Sequence, residues 1–238
     1  MRPAAIFDLD DTLYDREQFV QSGFAAVAEV VARTCGIPAD WALATLRRAH
    51  RDGRAGMELQ ALCADHGLEG DGLGGDPLAV DLIDSLVRIM REHRPSLVLA
   101  PGAAAALTRL RGEGWSLAVL TNGLPATQRA KVEALAIEPM VDAVVCAEEH
   151  APGGKPARAA FDAAMEAIGA APGRTVFIGD DLVRDVHGAR AAQLRTIRMA
   201  TDATARRVDG DADAVVSRLE DVPAVAAGLV KGAGAHAA

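Results

Sequence analysis

The chain has 238 residues, of which 50% are hydrophobic, 24% charged and only 3% aromatic, and its formal net charge is −8. That length and balance suit one large domain, or a domain carrying an insertion, with a core built from Ala, Leu and Val. The negative charge removes any general attraction to nucleic acid or an anionic membrane, and so few aromatics leave no platform for stacking bases.

Ala4 to Phe7 read as a short buried strand, entered directly from Met1-Arg2-Pro3. That start leaves no room for a signal peptide, and no apolar run approaches the length of a bilayer span. Cys35, Cys63 and Cys146 are odd in number and too far apart for a zinc site or a redox motif. The expectation is a cytoplasmic protein with small, apolar, buried cysteines. The strand runs into "FDLDDT", where Asp8, Asp10 and Asp11 crowd together. Mutually repelling acids there mean either a solvated loop or a place where a cation or phosphate makes them favourable.

A long helical region follows. Phe19, Phe24, Val27, Val30 and Val31 recur at helical spacing, and "CGIP" closes the segment. Asp40 is predicted to cap a second helix running to His50, a third covers about Met57 to His66, and a fourth about Leu78 to His93. Between the last two, "GLEGDGLGGDP" carries no Lys or Arg and follows a helix, so it reads as a surface loop and not a phosphate cradle.

From Pro101 the rhythm changes to helices alternating with short apolar strands: "WSLAVLTNG", "VDAVVCAEE", "RTVFIGDD", "LRTIRMA" and "DAVVS". This alternation predicts an α/β fold, a doubly wound parallel sheet with helices on both faces. The first strand joins that sheet and the helical block is an insertion after it. The predicted division is a core of residues 1–14 and 97–230, a helical cap of 15–96 and a flexible tail of 231–238.

In such a sheet, ligands bind at the carboxyl ends of the strands. One strand ends in Thr121-Asn122, another in Asp180-Asp181 with Asp185 further on, and "GGKP" puts Lys155 at the expected start of a helix. "DLDDT", "LTNG", "KP" and "GDDLVRDV" in this order resemble the four motifs of the haloacid dehalogenase-like (HAD) hydrolases, with Asp8, Asp10 and Thr12 in the first. The helical block then resembles, by position and helicity, the cap of the branch whose cap follows that motif.

The resemblance implies a phosphomonoester hydrolase. Asp8 would be the nucleophile that forms an aspartyl-phosphate, and Asp10 the acid for the leaving alcohol and then the base for water. Thr121, Asn122 and Lys155 would bind the phosphoryl group. Mg²⁺ would be held by Asp8, the carbonyl of Asp10, and Asp180, with Asp185 or Asp181 as the further acid. The substrate would be a small phosphorylated metabolite, with no nucleic acid or membrane partner. Dehalogenases and phosphonatases of this fold lack an acid at the position of Asp10, and the cap has none of the lysine a phosphonatase places there. A phosphomutase of the β-phosphoglucomutase kind, or a protein that keeps the fold without turnover, shares the motifs and stays open, as does oligomeric state.

In the cap, the spacing of Arg47, Arg51 and Arg54 would allow one helical face, and the expectation is a solvated helix surface. His50, His66, His93 and His187 show no metal spacing and read as surface residues. Tyr14, Glu17 and Gln18 lie just past the first motif, near the leaving group of a bound substrate.

Overall fold

The computed structural model describes residues 2–68, 77–200 and 211–234. Most of the acidic, glycine-rich stretch (69–76) and the end of the expected tail (235–238) lie outside the described residues. The chain divides into two compact units, Met1–Arg16 with Leu97–Ala238, and Glu17–Ser96.

The first unit holds β1 (Ala4–Phe7), β2 (Ser116–Thr121), β3 (Ala143–Cys146), β4 (Thr175–Gly179), β5 (Arg195–Met199) and β6 (Ala214–Val216). Among the described residues they form one six-stranded sheet, β3-β2-β1-β4-β5-β6, with every pairing parallel. Each strand is short because a strand covered on both faces needs only a brief apolar run. β1 is the extreme case: Ala4, Ala5, Ile6 and Phe7 are all fully buried.

The second unit, entered after β1, has α1 (Glu17–Cys35), α2 (Ala39–Arg51), α3 (Glu58–Asp65) and α4 (Pro77–Glu92). Phe24, Val27, Val31, Leu46, Leu62 and Leu86 form its core, which is the helical spacing seen in the sequence. Back in the first unit come α5 (Ala103–Gly112), α6 (Pro125–Ala134), α7 (Arg158–Ala167), α8 (Gly188–Ala191) and α9 (Val222–Gly234). Phe161 and Ala164 of α7 and Ala189 of α8 pack on Ile6, Ala118, Leu120 and Phe177. α5 and α9 pack on each other and on β2, β4 and β5, and contribute nothing to that cluster, so helices cover both faces. β1, between β2 and β4, is where the strand order reverses, and such a switch point opens a crevice at the carboxyl ends.

Several local expectations are corrected. Asp40 lies in the first turn of α2, behind Pro38 at the cap position, where its charge still faces the positive end of the helix dipole. Lys155 sits in the loop three residues ahead of α7, not at its start. α9 continues through Gly234, into the expected tail. Cys63 and Cys146 are buried, but Cys35 is half-exposed. His93 is buried against Phe19, with ring centroids 4.7 Å apart. No helix of the described residues is long and apolar enough to cross a membrane.

His50 is also no plain surface residue. Its Nδ1 lies 2.7 Å from Glu58 Oε1 and its Nε2 3.0 Å from Glu17 Oε2. A neutral imidazole has one N–H, so two facing carboxylates favour the imidazolium. The bond to Glu58, and then that to Glu17, raise the pKa of His50 against its partial burial. A raised histidine stabilises below its unfolded pKa, and that stability is lost as pH rises through the folded value. His50→Gln should therefore lower the melting temperature more at pH 6 than at pH 9. Thermal denaturation at the two pH values checks this, and an equal loss at both would contradict it.

Candidate active site

A cavity of about 340 Å³ opens at the carboxyl ends of β1, β2 and β4. Asp8 continues β1 by one residue, its N–H bonded to Ile178 O of β4 at 2.8 Å, and is almost fully buried. Asp10, two residues on, lines the same cavity, as extended spacing dictates. The chain then turns back through Asp11, whose φ of 57° is in the left-handed region that Asp tolerates better than most residues.

Lys155 is 3% exposed, and its Nζ lies 2.6 Å from Asp8 Oδ1 and 2.7 Å from Asp185 Oδ1. Burial alone would push the lysine pKa down, but Asp8 and Asp185 outweigh it and raise it. Asn122, just past β2, holds the lysine loop. Its Oδ1 accepts Lys155 N–H at 2.9 Å, and its Nδ2 donates to the carbonyls of Lys155 (3.0 Å) and Gly153 (3.3 Å). Gly154, at φ 64°, has no space for a side chain, because a Cβ there would lie 2.7 Å from Asn122 Oδ1.

Asp185 is fully buried on a π-type helical segment, Leu182–His187, with its Oδ2 accepting Asp181 N–H at 3.1 Å. Gly179, ending β4, allows this approach: a Cβ would come within 2.3 Å of Asp185 Oδ2. Asp181 turns to the segment instead. Its Oδ1 accepts Val183 and Arg184 N–H groups at 2.9 and 2.7 Å, and its Oδ2 pairs with the Arg184 side chain. Burial would raise the Asp181 pKa, but these bonds prevail and lower it.

Of the residues expected from the sequence, Asp8, Asp10, Asn122, Lys155, Asp180, Asp181 and Asp185 line this one cavity. The two threonines do not. Thr121 is fully buried, with its hydroxyl donating to Gln128 Oε1 at 3.0 Å. Thr12 is buried with no hydroxyl partner among the described residues, and it lines an adjoining cavity of about 720 Å³ that shares Asp11 and Asp180.

Sequence reading missed Lys131 of α6. It is 4% exposed, and its Nζ lies 2.7 and 2.9 Å from the two oxygens of Asp10. The Tyr14 hydroxyl donates to Asp10 Oδ1 as well, and its pKa is raised by burial and then by Asp10, so it stays protonated. The available signal was faint: Gln128 and Lys131, three residues apart, interrupt the buried face of α6 beside Val132.

Six carboxylates (Asp8, Asp10, Asp11, Asp180, Asp181, Asp185) line the cavity against four cations (Arg16, Lys131, Lys155, Arg184). Burial pushes Asp8 up to about 7, with Lys155 opposing and Asp185 adding. Burial, then Asp185 and Asp11, push Asp180 up to about 6. Asp8, Asp180 and Asp185 offer carboxylate oxygens within 4.8 Å of one another, an all-oxygen set that suits a hard divalent cation. The residues present thus fit a metal: Asp8 and Asp180, held above their ordinary pKa by burial and then by neighbouring acids, are carboxylates whose charge a cation would relieve.

The model of the haloacid dehalogenase-like hydrolases matches residues 3–193, and the chain belongs to that family. Ribulose-1,5-bisphosphate 5-phosphatase of Halopiger xanaduensis is 32% identical, covering 83% of this chain and 84% of its own. Glyceraldehyde 3-phosphate phosphatase of Methanopyrus kandleri is 28% identical, covering 84% of each. Among solved structures, the 2-haloacid dehalogenase of Pseudomonas syringae superposes with a TM-score of 0.64 at 25% identity, covering 95% of this chain and 99% of that one.

A divalent cation that binds the folded site alone must raise the melting temperature of metal-free protein. Protons compete with it for Asp8 and Asp180 below their raised pKa values of about 7 and about 6. The stabilisation should therefore be larger at pH 8 than at pH 5, and lost in Asp180→Asn. A thermal shift titration checks this, and a shift of equal size in Asp180→Asn would place the cation elsewhere.

Proposed function

We propose that the chain is a Mg²⁺-dependent phosphomonoester hydrolase acting through an aspartyl-phosphate on a small phosphorylated metabolite. Asp10 is the observation that carries this reading. A second carboxylate, with its own lysine and tyrosine, lines the cavity beside the Asp8 that Lys155 holds. Loss of a halide needs no proton, whereas an alcohol leaving from phosphorus does. The acid at position 10 therefore favours phosphoryl transfer over the chemistry of the dehalogenase neighbour. Both named relatives are phosphatases, which agrees.

The side chains of Asp8 and Asp180, with the carbonyl of Asp10, would hold the ion, and Asp185 would orient Lys155 beside it. When bound, magnesium supplies the positive charge that lets an anionic phosphoryl group approach an anionic carboxylate. Lys155 neutralises part of the phosphoryl charge, and the backbone N–H of Asn122 can donate to its oxygens. In the first step an oxygen of Asp8 attacks phosphorus in line, the bond from phosphorus to the alcohol oxygen breaks, and the proton of Asp10 passes to that oxygen. In the second step water attacks the same phosphorus, its proton returns to Asp10, and the Asp8–phosphorus bond breaks to give inorganic phosphate. The adjoining cavity offers the departing alcohol room next to Asp11 and Asp180.

Phosphate release from p-nitrophenyl phosphate should require Mg²⁺ and stop with EDTA. Asp8→Asn should lower kcat by about 10⁴-fold or more, as loss of a nucleophile does. Asp10→Asn should slow an alkyl phosphate by about 10²–10⁴-fold in single-turnover phosphorylation, and an aryl phosphate much less. Equal slowing of both substrates would remove Asp10 from the role of acid.

Transfer to water separates a hydrolase from a mutase. In water enriched in ¹⁸O, the phosphate released over many turnovers should carry label. Conversion of a sugar monophosphate into its isomer, with little free phosphate, would overturn the hydrolase reading.

A further inference from the structure

Lys131 is a buried cation that no step above employs. It projects from α6, 121 residues along the chain from Asp10, and contacts both oxygens of that carboxylate. Stability does not account for it. A buried ion pair gains little over an apolar pair of similar volume, so a lysine threaded through the inner face of a helix is weak evidence for a structural role.

We propose that Lys131, together with Tyr14, is a positioning residue that fixes the carboxylate of Asp10 in the plane and rotamer required for proton exchange with the leaving alcohol and with water. The inference rests on the acid and base role of Asp10 proposed above. Lys131 bridges Oδ1 and Oδ2 at 2.7 and 2.9 Å, which sets the plane of the group. Tyr14 adds a second donor to Oδ1, so Oδ2, with one donor among the described residues, is the oxygen left to exchange the proton. Both holders are themselves immobilised: Tyr14 is 1% exposed and Lys131 4%. Lys131 thus differs in kind from Lys155, which contacts Asp8 and Asp185 and stands where the phosphoryl charge arrives.

Lys131→Met keeps the volume and removes the charge, and Lys131→Arg and Tyr14→Phe are the companion variants. In single-turnover phosphorylation, Lys131→Met should slow an alkyl phosphate by about 10–100-fold, the size of effect expected when a reacting group is misplaced by about an ångström. p-Nitrophenyl phosphate should slow by no more than about threefold, since its leaving group barely needs the proton. KM should stay within about twofold, and the affinity for inorganic phosphate with Mg²⁺, measured by calorimetry, should not change. Tyr14→Phe should show the same leaving-group pattern at smaller size, and Lys131→Arg should recover part of the alkyl rate.

An unchanged alkyl rate, or equal loss on both leaving groups, overturns the proposal. So does a tenfold loss of phosphate affinity, which would make Lys131 a phosphate ligand. If Lys131→Met does not fold, the leaving-group pattern of Tyr14→Phe and Lys131→Arg decides the question. Wild-type protein that hydrolyses no phosphomonoester removes the catalytic reading itself. Active wild type with an indifferent Lys131→Met removes this inference alone.

Discussion

One lysine between two buried carboxylates organises the catalytic unit. Lys155 reaches Asp8 from one side and Asp185 from the other, with all three groups nearly or fully out of water. Removing any partner would strand a charge in a place that cannot solvate it, so the three can exist only together. Their supports follow from that need. Asn122 ties down the backbone on both sides of Lys155, and Gly154 and Gly179 yield the space that the amide and the Asp185 carboxylate occupy. Two acids on one lysine, with Asp180 alongside, leave unbalanced negative charge, and burial, with the neighbouring acids adding to it, raises the pKa of Asp8 and of Asp180. A site that satisfied itself would have no reason to bind a cation or an anionic substrate.

The fold makes this concentration of charge tolerable by dividing labour along the strands. Below its carboxyl end β1 is wholly apolar and fully buried, and Ile6, Phe161 and Phe177 pack together out of water. The polar side chains that line the cavity come just past the strand ends, at Asp8, Asn122 and Asp180. β1 contributes four residues of strand and then the first acid, and its position at the reversal of strand order brings the ends of β2 and β4 to either side of it. The rigid layer below is what permits a few tenths of an ångström to matter above.

The sequence made the sheet legible because each strand is an apolar run with a polar end, and the order of those ends located most of the cavity lining. What stayed hidden depended on side chains meeting over long separations. Asp181 and Asp185 are equivalent as letters; only the turn geometry, with Asp181 accepting from Val183 and Arg184, separates them. Thr121 reads as a cavity residue by position, yet its hydroxyl is spent on Gln128. Lys131 looks like any solvated helix lysine until α6 is laid on the sheet. His93 and His50 were misread for the same reason, since burial against Phe19 and a clamp of two glutamates are properties of packing, not of spacing.

Two aspartates separated by one residue would be interchangeable in an extended chain, but here their surroundings make them different groups. Asp8 faces a lysine that it shares with Asp185, and burial holds it near the point of losing its charge, so its reactivity depends on what cation or substrate arrives. Asp10 has donors of its own, one of them a tyrosine that burial and the carboxylate together keep protonated. A nucleophile should have its charge released by the incoming ligand, whereas a group that must pass a proton twice should hold one orientation throughout. On the roles proposed for Asp8 and Asp10, separate lysines serve those separate demands. Were both acids tied to Lys155, every change of charge on one would move the other, and the two steps of a phosphoryl transfer could not be tuned independently.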